Sequence, residues 1–248
     1  MFPILQLGPL AIQVPGLFLL AGVWVAVSLI ERQAARRKVS PEALSNLVLY
    51  GLIAGILGAR LGYAARFLNV YLENPLSLFS LNPSTLAPLD GMVAGLVAAT
   101  IYGQRKKLPL WPTLDALAPG LAAFSVALGF AHLASGDAFG APTDLPWGVQ
   151  LWGARRHPTQ IYEIGLAGLV SWAVLRVARW RVFPGFTFLA WLALTAAARL
   201  FLEAFRGDSV VILGVLRQAQ VLSLVALLAA LGGMSALARG KEQVSGNG

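Results

Sequence analysis

The sequence predicts an all-α integral membrane protein, a bundle of about seven transmembrane helices with its N-terminus outside and its C-terminus in the cytoplasm. Three observations predict it: an apolar, charge-poor composition, a series of long apolar segments, and the sorting of Lys and Arg into alternate loops. Of 248 residues, 57% are hydrophobic and only 12% are charged, and the mean hydropathy is +0.71. Soluble domains average about 45–50% apolar and about 25% charged residues. A water-soluble fold of this length could not hide so much apolar surface, whereas hydrocarbon as solvent removes the difficulty.

A spanning helix needs about 20 mostly apolar residues. Seven segments are candidates: 14–30, 44–68, 89–103, 114–134, 159–178, 185–205 and 213–237, the third being the shortest. Residues 1–7 carry no Lys or Arg and a positive cluster follows the first segment, so that segment reads as a retained anchor rather than a cleaved signal. Two loops, 69–88 and 135–158, are long and rich in Pro, and carry Leu76, Leu78, Phe79, Trp147 and Trp152. Such residues read as interfacial anchors or as a cover over a site. The expected organisation is one polytopic membrane domain, 1–239, and a polar, disordered cytoplasmic tail, 240–248.

The net charge of +8 would suggest nucleic acid in a soluble protein. Here the positives are sorted by loop. Arg32, Arg36, Arg37 and Lys38 follow the first segment, Arg105, Lys106 and Lys107 the third, Arg176, Arg179 and Arg181 the fifth, and Arg239 and Lys241 the seventh. The alternate loops hold only Arg155, Arg156 and Arg206. Twelve against three is a strong positive-inside bias and implies an odd number of crossings. No nucleic-acid partner is implied. There is no cysteine, which excludes disulfides, thiolate metal sites and a cysteine nucleophile, and His132 and His157 alone are too few imidazoles for a catalytic zinc. No metal or cofactor is expected.

Charges at membrane depth carry the functional argument, because each costs about 2.5–3.5 kcal/mol at a helix centre and tends to pair or to mark a pathway. Arg60, Arg66, Arg199, Arg217, Asp90, Asp115, Glu163 and Glu203 qualify. Snorkelling near a helix end is the plain reading of Arg66, Asp115 and Arg217. Arg199, Glu203 and Arg206 follow i, i+4, i+7 spacing, which puts them on one helix face. They read either as a self-neutralising structural set or as a fork for an anionic headgroup. Gly51, Gly55, Gly58 and Gly62 form a small-residue stripe that favours close helix packing and sets Arg60 and Tyr63 near its outer end. In RRHPTQIYE, residues 155–163, Pro158 suits a first helical turn, and Arg156, His157, Gln160, Tyr162 and Glu163 crowd the entrance of the fifth segment.

These residues resemble those of the prolipoprotein diacylglyceryl transferases of bacterial inner membranes, over nearly the whole chain. The resemblance is carried by LQLGPLAI (5–12), GARLGY (58–63), DGMVAG (90–95), LDALAPG (114–120), SGDAFG (135–140), RHPTQIYE (156–163), ARLFLEAFR (198–206) and QVLSL (220–224). It implies seven helices, an outer-leaflet site in the plasma (inner) membrane, and transfer of a diacylglyceryl group from phosphatidylglycerol to the lipobox cysteine thiol of prolipoproteins. The implied partners are phosphatidylglycerol, prolipoprotein signal peptides and membrane lipid. The implied site comprises Asp90, His132 and Arg199 as catalytic candidates, with Arg60, Tyr63, Gly91, Asp137, Arg156, His157, Gln160, Tyr162, Glu163, Glu203 and Arg206 around the substrates.

The chain departs from the family pattern at several polar positions. Asp90 stands where the family has a histidine before Gly-Gly, Thr195 and Pro15 where it has tyrosines, Gly129 where an arginine is expected, and His132 where it has an asparagine. Two residues are candidates for the missing histidine's role: Asp90, as a base in apolar surroundings, and His132, if it faces the same cavity. A second reading is a catalytically altered paralogue that binds phospholipid or lipoprotein precursor. A small-solute transporter is disfavoured by the absence of an internal repeat.

Overall fold

Helices dominate the computed structural model, which describes residues 4–7, 10–80, 83–180, 182–212 and 214–246. Eight α-helices appear among them: α1 (Val14–Arg36), α2 (Pro41–Arg66), α3 (Leu68–Glu73), α4 (Pro88–Arg105), α5 (Leu110–Ser135), α6 (Thr159–Val177), α7 (Phe186–Glu203) and α8 (Gln218–Gly246). Three antiparallel hairpins join or precede them: β1–β2 (Ile4–Leu7 with Leu10–Gln13), β3–β4 (Val149–Leu151 with Ala154–Arg156) and β5–β6 (Val211–Ile212 with Leu216–Arg217). Five helices, α1, α2, α5, α7 and α8, are long and apolar enough to cross a membrane. Their large side chains, among them Leu20, Trp24, Ile56, Leu57 and Leu228, stand more than half exposed. Apolar surface on that scale requires a non-aqueous surround.

Each expected apolar segment contains a helix, with local differences. The second segment breaks at Phe67, whose amide closes a turn on Ala64, so residues 68–73 form the separate α3. The seventh begins later than expected because 211–217 folds back as β5–β6; Leu213 itself lies outside the described residues. The helix α8 continues past Gly240 to Gly246. The loop basic residue Arg181 also lies outside the described residues.

The chain forms two compact units, Ala34–Leu110 and Met1–Gln33 with Trp111–Gly248. In the first, Ser40 caps α2 by accepting the Ala43 amide at 3.2 Å, with Pro41 and Glu42 in the first turn. α2 then lies against α4 along the glycine stripe. A Cβ on Gly91 would stand 2.6 Å from Gly55 O and 2.7 Å from Ala59 Cβ, and one on Gly95 2.8 Å from Gly51 O. Only hydrogen at those positions permits this backbone approach.

In the second unit, the buried positions of α5 are mostly small residues, among them Ala116, Ala118, Ala122 and Gly129. Gly120 fits against Ala26 O and Ile30 of α1. Pro119 lies inside α5, where it cannot donate to the carbonyl of Asp115. The Asp115 side chain is fully buried and accepts the Gly185 and Phe188 amides at 2.8 and 2.9 Å, capping the start of α7. The snorkelling expected of Asp115 is therefore replaced by a buried cap: two free amides at a helix N-terminus attract a carboxylate more strongly than a membrane surface does. α7 packs on both α6 and α8.

Candidate functional site

The RHPTQIYE segment is built onto a small backbone scaffold. The β3–β4 hairpin turns through Trp152 and Gly153 at φ 54° and 74°, the pair of left-handed residues that a tight two-residue turn demands. Residues 139–143 then run between 155–157 and 205–207: Thr143 N donates to Arg155 O, His157 N to Ala141 O, Ala141 N to Phe205 O, and Gly207 N to Phe139 O. Gly140 must be glycine, since a Cβ there would strike the His157 backbone. At the entrance of α6 the buried Thr159 hydroxyl donates to Ala138 O at 2.7 Å and the buried Gln160 amide to Asp137 O at 2.9 Å. Asp137 thus contributes its main chain, and its side chain is exposed.

Arg156, His157 and Tyr162 of this motif are engaged in architecture. Arg156 donates to Leu151 O at 3.1 Å and Gly140 O at 3.2 Å, and its guanidinium covers the Phe139 ring at 5.0 Å. His157 packs edge-on against Phe205 at 5.2 Å, and its Nδ1 is buried without a hydrogen-bond partner among the described residues. Tyr162 accepts the Trp147 indole N–H at 2.8 Å and also lies edge-on to Phe205.

Three further pairs form in this unit. His132, in the last turn of α5, sets Nδ1 2.9 Å from Glu163 Oε2 on α6. On α7, Arg199 Nη2 lies 3.4 Å from Glu203 Oε2, an ion pair at i, i+4 in which the Glu203 side chain is only 1% exposed. Arg206 does not share their helix face, as its spacing had implied. α7 ends at Glu203 because the next backbone groups pair with residues 139–141. Arg206 instead forms a two-pronged pair with Asp208, at 2.8 and 2.6 Å. Arg217 is not a snorkelling side chain: it donates to the carbonyls of Glu203 and Arg206. The sequence reading missed Asp208, whose one signal is its position two residues after Arg206.

Two cavities meet at Arg199. One, of about 220 Å³, is lined mainly by Leu128, Leu166, Val170 and Leu202, with Glu163 and Arg199 as its charged residues. The other, of about 160 Å³, has more polar residues in its lining: Arg199, Glu203, Arg206, Asp208, Ser209 and Gln218, beside Val210, Ala219 and Leu222.

In the 34–110 unit, Arg60 is buried and fully engaged. Its guanidinium donates to Leu78 O at 2.8 Å and Thr85 O at 3.0 Å, and also to Ser80 O and the Thr85 hydroxyl. It ties residues 77–80 and Thr85 to α2. Asp90 pairs with Arg66 at 2.7 Å, both side chains being partly exposed. The Tyr63 ring lies tilted against that of Phe67, with centroids 4.7 Å apart, and Gly91 is buried in the α2–α4 contact.

Against known proteins, residues 3–236 match the family described as prolipoprotein diacylglyceryl transferase. The chain belongs to that family. It is 31% identical over 249 aligned positions to the phosphatidylglycerol–prolipoprotein diacylglyceryl transferase of Trichormus variabilis, covering 94% of this chain and 88% of the relative. It is 31% identical to the protein of that name from a Nostoc species, with 94% and 87% covered. For the one from Synechococcus elongatus the figures are 30% identity and 90% and 83% coverage. Family membership and five apolar helices together make this a multi-pass membrane protein.

One departure noted above, Gly129, lies at a close helix contact. A Cβ on Gly129 would stand 2.8 Å from Ile164 Cγ1 and 3.3 Å from Ile164 N. α5 and α6 approach too closely there for an arginine. Thr195 lines the apolar cavity with its hydroxyl buried and without a hydrogen-bond partner among the described residues. Pro15 sits in the first turn of α1.

Proposed function

We propose that this chain transfers a diacylglyceryl group from phosphatidylglycerol to the lipobox cysteine thiol of prolipoproteins, recognising their signal peptides within the bacterial plasma (inner) membrane. The observation that carries the reading is Arg199, a cation shared by an apolar cavity and one lined by several charged and polar residues. A phospholipid has the same division, with its anionic phosphate between acyl chains and a polar headgroup. Substrate sulfur attacks the glyceryl carbon that bears the phosphate ester oxygen. A thioether S–C bond forms, the C–O bond breaks with its electron pair on the phosphate, and glycerol phosphate leaves. Charge accumulates on that phosphate, and a fixed guanidinium is the residue type that stabilises it. Glu203, almost fully buried, holds Arg199 in place, and Arg206 is held by Asp208 beside the second cavity. The nucleophile comes from the substrate, so a chain without cysteine is equipped for this reaction.

The sorting of basic residues supports seven crossings, an outer N-terminus, a cytoplasmic C-terminus and a site facing the outer leaflet. Incubation of the purified protein with labelled phosphatidylglycerol and a lipobox peptide tests the function. The expected products are labelled thioether peptide and free glycerol phosphate; retained lipid binding with no transfer would refute the reading. Single cysteines introduced into the naturally cysteine-free loops at 105–107 and 145–147 test the topology. Only the second should react with an impermeant reagent added outside the cell.

A further inference from the structure

We infer that His132, oriented by Glu163, is the base that takes the proton from the attacking thiol; the inference rests on the transfer reaction proposed above. A thiol of pKa about 8.5 is mostly protonated at neutral pH, and its thiolate is the nucleophile. The residues carrying the leaving-group argument, Arg199 and Arg206, are cations and accept no proton. A base must come from elsewhere.

The His132–Glu163 contact supplies it. A carboxylate accepts hydrogen bonds and donates none, so at 2.9 Å the imidazole Nδ1 keeps its proton and donates a hydrogen bond to Glu163 Oε2. The lone pair is thereby assigned to Nε2. A carboxylate behind one ring nitrogen, fixing the tautomer and stabilising the imidazolium that forms on the other, is the arrangement by which histidine bases activate nucleophiles. The His132 side chain keeps 26% of its surface accessible, while Glu163 is 14% exposed, so the outer member of the pair is reachable and the inner one is shielded. Glu163 also lines the apolar cavity together with Arg199, and the two charges attract each other. Glu163 thus links His132, at 2.9 Å on one side, to the cavity that Arg199 also lines.

The other candidates are accounted for differently. His157 has a buried Nδ1 with no carboxylate behind it and a ring clamped against Phe205. Asp90 is ion-paired with Arg66. In the transfer step, the thiol proton passes to His132 Nε2 as sulfur attacks. The imidazolium then gives that proton to the departing glycerol phosphate or to water, and the neutral histidine is restored. Glu163 is a positioning residue in this scheme.

The test compares two lipobox peptides, one with cysteine and one with selenocysteine, whose selenol is ionised at neutral pH without a base. His132→Gln should slow cysteine transfer by about 10²–10⁴-fold, the usual worth of general base catalysis, and selenocysteine transfer only a few-fold. Glu163→Gln should show the same selectivity with a smaller loss. An equal loss on both peptides would assign His132 a structural part and overturn the inference, as would an unaffected His132→Gln enzyme. If the unsubstituted protein transfers to neither peptide, the transfer reading fails and this inference with it.

Discussion

Asp115 on α5 caps α7 at Phe188: its Oδ1 accepts the Phe188 amide at 2.9 Å, and Oδ2 accepts that of Gly185 at 2.8 Å. One fully buried side chain, 73 residues away in sequence from Phe188, sets the start of the helix that carries Arg199 and Glu203. Asp115→Ala would leave two amides unsatisfied in an apolar setting, each at about 1–3 kcal/mol. Thermal unfolding in detergent should show a clear drop for Asp115→Ala and a smaller one for Asp115→Asn, which retains one acceptor.

Arg60 makes a different kind of prediction. Its planar fork reaches carbonyls at Leu78, Ser80 and Thr85 at once. Lysine cannot span such a set. Both Arg60→Ala and Arg60→Lys should therefore release the 75–85 loop and speed its cleavage by added protease. Cleavage at the unsubstituted rate in Arg60→Lys would contradict the tethering role.

The α2–α4 contact is sensitive to a single methyl group. Gly91→Ala places a Cβ against Gly55 O and Ala59 Cβ, neither of which can rotate away. Overpacking of this kind costs about 1–3 kcal/mol. Denaturant unfolding should register it, while Gly168→Ala, where nothing lies within 4 Å, should be neutral.

Arg199→Gln removes the cation at the junction of the two cavities. Loss of one fixed group that stabilises developing charge lowers kcat by about 10²–10³-fold. Release of glycerol phosphate measures it. Glu203→Gln should fall in between, since it loosens Arg199 without removing it.

Much of this was legible from the chain. The RHPTQIYE cluster stands out in the chain because polar residues that dense are costly to bring into a membrane, and the structure packs His157 and Tyr162 against Phe205 and pairs residues 155–157 with the 139–143 segment. Other members were misread for identifiable reasons. Arg206 continues the i, i+4, i+7 pattern on paper, yet strand-like pairing to Gly140 ends the helix first. Asp115 and Arg217 sit near the ends of apolar segments, where snorkelling is the default. Each instead satisfies backbone groups that only the fold brings near.

By itself the sequence determined the solvent: composition and the sorting of Lys and Arg require hydrocarbon around apolar helices, because transfer free energies add residue by residue and need no knowledge of packing. It also determined which residue types were available for chemistry. Only the tertiary structure decided how each was used. It saturated Arg60 with carbonyls, paired Asp90 with Arg66, and brought His132 against Glu163 across 31 residues of chain. Whether a charge is spent on a neighbour or left for a ligand depends on contacts of a few ångströms between distant segments, and local spacing does not encode those.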